Sequence, residues 1–346
     1  MLGRRIVIKK AGDYSQLNLV NFEVPQLSDN QVLIEVNYAG VNYADCLVRF
    51  GVYASAKEYV GWPITPGFEV SGRVLKVGKD ITQFKVGDEV IGFTRFNGYS
   101  SHLVIDEAQV FHLPRELNMA QGAAFPAVYF TAYYALMQSF RLSLKSKILV
   151  HSAAGGVGSA LVQIAKAKGF QVAGVVGSSH KMSYLQSLGC DWVYDKSAKN
   201  FNWQQIKDEH KDGFHAVFDA NGYTTLKVSY ELLRPTGKLV VYGAHSLLPR
   251  GGGRLNYFKA IWGLFKTPKF NPMQMITDNK NLICFNLSFL FGEKVLINEA
   301  ITDLLSLLNN NQITPPQVTV FSVEEVAKAH ELIESGQSTG KIVLEF

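Results

Sequence analysis

Cysteine is scarce in this 346-residue sequence: Cys46, Cys190 and Cys284 lie far apart, with no C-x-x-C pair. That excludes a disulfide framework and a zinc-finger pattern, and it suits a reducing compartment. Long apolar runs are missing too. None reaches the roughly 18 residues of a membrane span, and the N-terminal MLGRRIVIKKAGDY has too short an apolar stretch for a signal peptide. A cytoplasmic protein is expected. Charged residues make up only 18%, and the net +5 comes from scattered lysines and arginines without a basic block. This balance favours anionic ligands weakly and argues against nucleic acid as a partner.

What is present is apolar. Hydrophobic residues reach 47% and aromatics 12%, the composition of a compact globular chain. At about 150 residues per domain, the length implies two domains. Residues 1 to about 120 read as strands and turns. QVLIEVNYAGVN alternates Val32, Ile34 and Val36, and EVSGRVLKVGKD, VGDEVIGF and GYSSHLVI are β-rich and punctuated by glycine. A mostly antiparallel, partly barrelled β domain is expected there. MAQGAAFPAVYFTAYYALMQ then reads as helices interrupted at Pro126.

From Lys147 onward strand and helix alternate. Strands are expected at 147–151, 171–176, HAVFDA and GKLVVYG, with helices over 157–168, 180–188 and 224–233. Such alternation means a parallel sheet covered by helices, so the class is α/β. EEVAKAHELIES reads as a helix and GKIVLEF as a strand that returns to the first domain. The expected division is 1–122, completed by about 312–346, around a second domain at 123–311.

HSAAGGVGSA joins an apolar strand to an amphipathic helix. The dinucleotide pattern G-x-G-x-x-G falls on Ala153, Gly155 and Gly158, with Ala153 replacing the first glycine. Gly155 lets backbone approach a pyrophosphate, Gly158 lets helix and strand pack closely, and the helix N-terminus offers N–H groups to phosphate. A plain strand-to-helix turn is the alternative; the strand and helix on either side favour a doubly wound Rossmann domain. An NAD site calls for a carboxylate after the second strand. Here GSSHK supplies Gly177, Ser178 and Lys181, and Lys196 follows the next strand. Hydroxyls and cations suit a 2′-phosphate, hence NADP(H).

AGVNYADCLVRFGVY, TPGFEVSGRV, VGDEVIGF, FTAYYAL, HSAAGGVG and STGKIVL follow one another in an order that resembles the medium-chain dehydrogenase/reductase superfamily over nearly the whole chain. Its zinc alcohol dehydrogenases carry Cys after the AG strand and His in PGHE. This sequence has Val41-Asn42 and Phe68 there, and no four-cysteine lobe, so no metal is expected. That resembles the zinc-independent quinone oxidoreductase group (the zeta-crystallin type). Within it, RFGVYASAKEYVGWPITPGFEVSG most resembles the vesicle amine transport protein homologues. The resemblance implies a GroES-like β domain and hydride transfer from NADPH to a quinone or α,β-unsaturated carbonyl. It implies that Ala153, Gly155, Gly156, Val157 and Gly158 hold the pyrophosphate. Gly177, Ser178, Lys181 and Lys196 would surround the adenosine phosphate. Asn221, Gly243, Ala244, His245 and Thr131 would line the cofactor, Phe285 and Leu287 would meet the nicotinamide through backbone, and Lys341 would lie at that end. A homodimer paired around Leu282–Leu287 is also implied.

Asn42 and Tyr53 are the catalytic candidates. Tyr53 either donates to a developing enolate or only contacts the cofactor; Asp45 is expected to hold the loop. Val128 stands where relatives often have Asn. Finally, RGGGRLNYFKAIWGLFKTPKF places Leu255, Phe258, Trp262 and Phe265 on one helical face, with Lys259 and Lys266 on a polar strip. The expected reading is packing on the core or a subunit partner. The alternative is weak contact with an anionic membrane, which belongs to a second functional reading: a membrane-associated or nucleotide-sensing protein of this fold with little turnover.

Overall fold

A computed structural model describes the chain except residues 248–250, 252, 254 and 256. Two sheets organise it. The nucleotide-side sheet has six parallel strands in the order Trp192–Asp195, Gln171–Val176, Lys147–His151, Phe214–Asp219, Leu233–Val241, Asn281–Cys284. In chain order that is 3-2-1-4-5-6, the Rossmann arrangement. Its inner strands are apolar on both faces because helices cover both: Ile148, Leu149 and Val150 are fully buried, as are Ala216, Val217 and Phe218. The strands match the expected ones within a few residues. The helix expected at 224–233 is shorter, Leu226–Glu231, because the following strand already begins at Leu233.

The other sheet runs Val318–Ser322, Lys341–Glu345, Gln31–Val41, Glu69–Val77, Glu89–Phe93, Val110–His112, with His102–Asp106 also pairing to Gln31–Val41. Its pairs are antiparallel except the first, whose crossover is the helix Val326–Ser335. The strand Lys341–Glu345 therefore returns to the N-terminal sheet, as its sequence suggested. Ile34, Val36, Val70, Val90, Ile105 and Leu344 form this sheet's core.

Between the two lies Pro126–Tyr133, an entirely buried helix. Pro126 opens it rather than interrupting one, because a proline at the first helical position lacks only an N–H that would have no partner there. The short turn Met119–Gly122 precedes it, and Tyr134–Gln138 follows as a π-helical turn.

The helix Tyr257–Lys266 does not pack its apolar face on the core of its own chain, the first of the two packings expected for it. Gly263 sits against Leu247 and Tyr223, and Leu255 packs beside Phe50 and Cys46. The core nevertheless leaves the apolar face uncovered: Phe258 is 90% exposed, Trp262 60% and Phe265 83%.

Candidate functional site

In the strand order, direction reverses between Lys147–His151 and Phe214–Asp219, the place where open α/β sheets bind ligands. Both strands end in the same crevice, where Ser152 Oγ donates to Asn221 Oδ1 at 2.9 Å. The turn Ser152–Gly155 leads into the helix Gly156–Ala167. A side chain on Gly158 would stand 2.4 Å from the Ser152 carbonyl oxygen and 2.6 Å from Ala153 Cα, so helix and strand meet only through glycine. A Cβ on Gly155 would meet nothing closer than 3.4 Å, which leaves its outer side open to a ligand. Ala153 is fully buried, and Gly156 faces Val128 and Lys341. Val157 is partly buried against the core.

The far wall is equally close. Asp219 accepts from the N–H groups of Asn221 and Gly222 and from Ser229, fixing the turn after its strand. Asn221 Nδ2 and Ser246 Oγ are buried without a partner, an arrangement that costs about 1–3 kcal/mol per group unless a ligand completes it. Gly243 presses against Ala220 and Ala244 against Gly222. His245 lies against Tyr43 with ring centroids 4.0 Å apart and planes tilted by 40°, and burial lowers its pKa to about 4. These open glycines and unpartnered polar atoms fit a dinucleotide. Thr131 is less available: it is buried, and its hydroxyl donates to the Ala127 carbonyl at 2.6 Å.

After the strand Gln171–Val176, a Cβ on Gly177 would meet only Lys196 Cε at 3.6 Å, and Ser178 Oγ lies 2.9 Å from His180 Nδ1. Lys181 points elsewhere. Its ammonium donates to the carbonyls of Gly336 and Ser338 at 2.7 and 2.6 Å. Burial, with the nearby charge of Lys196, lowers its pKa to about 8. The loop it grips also bonds the glycine turn, through Gly340 N to the Ala154 carbonyl at 2.9 Å.

The opposite side of the crevice holds a buried ion pair. Lys341 Nζ lies 2.5 Å from Glu69 Oε1 and donates to Asn42 Oδ1, also at 2.5 Å. Asn42 Nδ2 donates to Glu69 Oε1, and Glu69 Oε2 accepts from the N–H of Ala127. Glu69 thus joins Asn42, Lys341 and the helix Pro126–Tyr133, a role nothing in TPGFEV announces because its partners are distant in sequence. Asp45 holds the loop: it accepts from the N–H groups of Asn42 and Gly67 and from Tyr99 Oη. Burial raises its pKa to about 7 despite those donors.

Tyr53 reaches across the seam between the sheets. Its hydroxyl donates to Asn286 Oδ1 at 3.0 Å, and Ser55 and Ser288 meet beside it at 2.8 Å. Burial raises the phenol's pKa, so it remains protonated. Its ring packs edge-on against Phe68 and Phe96. Phe285, whose ring lies 4.8 Å from that of Tyr134, and Leu287 flank Asn286. Asn286 was not among the residues expected from sequence.

Among the described residues, Cys46, His330 and Glu334 form one group of possible metal ligands, with donor atoms within 4.8 Å of one another. Each already has a partner. Arg49 and Tyr14 bind Glu334, while His330 contacts Cys46 and Tyr99.

Two sheets meeting in a crevice at the switch point define a two-domain oxidoreductase architecture. Residues 28–129 match the alcohol dehydrogenase GroES-like domain, and residues 156–283 match the zinc-binding dehydrogenase family. The chain is 30% identical to the synaptic vesicle membrane protein VAT-1 homolog of Rattus norvegicus, over 99% of this chain and 83% of that one. It is 29% identical to the quinone oxidoreductase of Homo sapiens, over 93% and 91%. The crystal structure of human VAT-1 homolog-like protein superposes with a TM-score of 0.84 at 27% identity, over 100% and 98%. The chain belongs to the medium-chain dehydrogenase/reductase superfamily, in the quinone oxidoreductase group together with the VAT-1 homologues.

Proposed function

We propose that the protein is an NADPH-dependent, zinc-free reductase of quinones or α,β-unsaturated carbonyls. One observation carries this: the open glycine turn and the unpartnered Asn221 Nδ2 lie in a crevice whose other side holds the Asn42–Glu69–Lys341 cluster, with Phe68 and Asn42 standing at the positions of zinc ligands in the zinc-dependent relatives. Phe68 has no donor atom, and the Asn42 oxygen already accepts from an ammonium. The nicotinamide, when bound, supplies the hydride. The chain's part is to bind and orient. Gly155, Gly156 and the N-terminus of the helix Gly156–Ala167 receive the pyrophosphate, with Ala153, Val157 and Gly158 shaping the turn. Asn221, Gly243, Ala244, His245, Phe285 and Leu287 line the cofactor. Lys196, Gly177 and Ser178 take the 2′-phosphate, with Lys181 behind them. Tyr53 and Asn42 face the acceptor. The name of the human quinone oxidoreductase supports the choice of acceptor.

Incubation of the protein with NADPH and a panel of quinones and enones tests the reading; absence of turnover with every acceptor sinks it. We further propose residues 1–122 with 312–346 and residues 123–311 as the domains, and a cytoplasmic homodimer paired through Asn281–Cys284. That strand ends the parallel sheet and pairs only with Leu233–Val241 among the described residues.

A second reading is favoured by the uncovered helix Tyr257–Lys266. Its Phe258, Trp262 and Phe265 face, bordered by Lys266 and Lys269, suits the surface of an anionic membrane. No described helix is long and apolar enough to cross one. The VAT-1 homologues' name, a vesicle membrane protein, supports this reading. Co-sedimentation with phosphatidylserine vesicles, lost in a triple Phe258→Ser, Trp262→Ser, Phe265→Ser variant, is the expected result; equal negligible binding by both proteins removes it.

A further inference from the structure

Tyr53 and Asn42, the expected catalytic pair, are both engaged. The Asn42 amide lies between Glu69 and Lys341. The single phenolic proton of Tyr53 goes to Asn286 Oδ1. That oxygen accepts twice more, from Ser288 N at 3.1 Å and Ser288 Oγ at 2.9 Å. Because one of the three donors is a backbone N–H, there is no doubt which end of the amide is oxygen. The plane of the Asn286 side chain is therefore fixed, and with it the direction of its NH2 group. Nδ2 donates to no described residue. It is an oriented, unused pair of N–H donors at the domain seam, between the two residues expected to meet the nicotinamide.

We propose that Asn286 is the catalytic hydrogen-bond donor to the acceptor oxygen, and that Tyr53 is a positioning residue that holds it. This rests on the reductase reading above. A hydride adds, with its electron pair, to the β-carbon of an enone. The C=C electrons shift through the carbonyl and leave an enolate oxygen; NADPH is oxidised to NADP+. Asn286 Nδ2 donates to that oxygen without giving up a proton, and water returns a proton to the α-carbon. An amide held by three donors is preorganised for charge that develops only in the transition state, which is where such donors act most strongly.

The test is steady-state kinetics of the full chain with NADPH and an enone that the wild type reduces. Asn286→Ala is expected to lower kcat by about 10²–10³-fold with NADPH affinity unchanged, and to lower the thermal midpoint because Tyr53 and Ser288 lose their acceptor; Asn286→Asp keeps that acceptor and the midpoint. Tyr53→Phe, which removes one of three supports, is expected to lower it by roughly fivefold, and the double variant no further than Asn286→Ala. Asn286→Asp is expected to be inactive at high pH and to recover as pH falls, when its carboxyl carries a proton to donate. A merely structural role would not produce that profile. Near-wild-type kcat in Asn286→Ala, or a larger loss in Tyr53→Phe than in Asn286→Ala, overturns the proposal. No turnover by the wild type would instead strike the reductase reading itself.

Discussion

Lys181 Nζ lies 2.7 Å from the carbonyl oxygen of Gly336, 155 positions further along the chain. A lysine just after the strand Gln171–Val176 thus ties the nucleotide-side sheet to the loop that leads into Lys341–Glu345. We propose Lys196, whose Cε would lie 3.6 Å from a Cβ on Gly177, as the cation for a 2′-phosphate.

The two lysines should therefore separate. Lys196→Ala is expected to weaken NADPH by roughly 10–100-fold while sparing NADH, the worth of a charge-assisted hydrogen bond. Lys181→Ala should weaken both cofactors alike and lower the thermal midpoint. Fluorescence titration with each cofactor reads this out; selective loss of NADPH in Lys181→Ala would contradict it.

The glycines of the turn should separate too. A methyl at position 158 meets backbone atoms at 2.4 and 2.6 Å that cannot step aside, so Gly158→Ala should unfold the turn and lower stability. A methyl at 155 has room in the chain alone, so Gly155→Ala should keep its urea midpoint and lose NADPH. Equal stability of the two variants would be evidence against this geometry.

Glu69→Ala would leave the buried ammonium of Lys341 facing only the Asn42 oxygen. Removing one partner of a buried pair typically costs about 3–5 kcal/mol, readable in urea unfolding. A change below about 1 kcal/mol, the value of an exposed pair, would mean that Lys341 escapes to solvent.

Acid should destabilise the fold through buried imidazoles. Burial lowers His245 to about 4, and burial with the charge of Arg49 lowers His330 to about 3. Unfolded, each takes a proton near pH 6.5. Between about pH 6.5 and 4 the unfolded chain binds more protons, so stability falls as pH falls, by up to about 1.4 kcal/mol per pH unit for each ring. Urea midpoints at stepped pH should show this slope, and His330→Gln should reduce it; an unchanged slope excludes His330 as a contributor.

The Rossmann half was readable in the sequence because burial on both faces makes its strands continuous apolar runs, punctuated by glycines at the turns. The glycine turn was readable too, because it depends on residues close together in the chain. Glu69, Asn286 and the grip of Lys181 on Gly336 were not, because each acts through a partner brought near only by tertiary folding. The stripe of Phe258, Trp262 and Phe265 was visible as a stripe. Periodicity reports which residues share a face; it does not report what lies opposite.

Residues 341–345 lie between Val318–Ser322 and Gln31–Val41 in their sheet. On the ribosome, Gln31–Glu35 can already pair with His102–Asp106, while Tyr38–Val41 stays open on that edge until a strand made some three hundred residues later arrives. The Rossmann half can close first, since its six strands all precede that point. The usual vectorial order, N-terminal domain first, thus leaves that sheet short of its Val318–Ser322 and Lys341–Glu345 strands when the nucleotide-side sheet already has all six of its own.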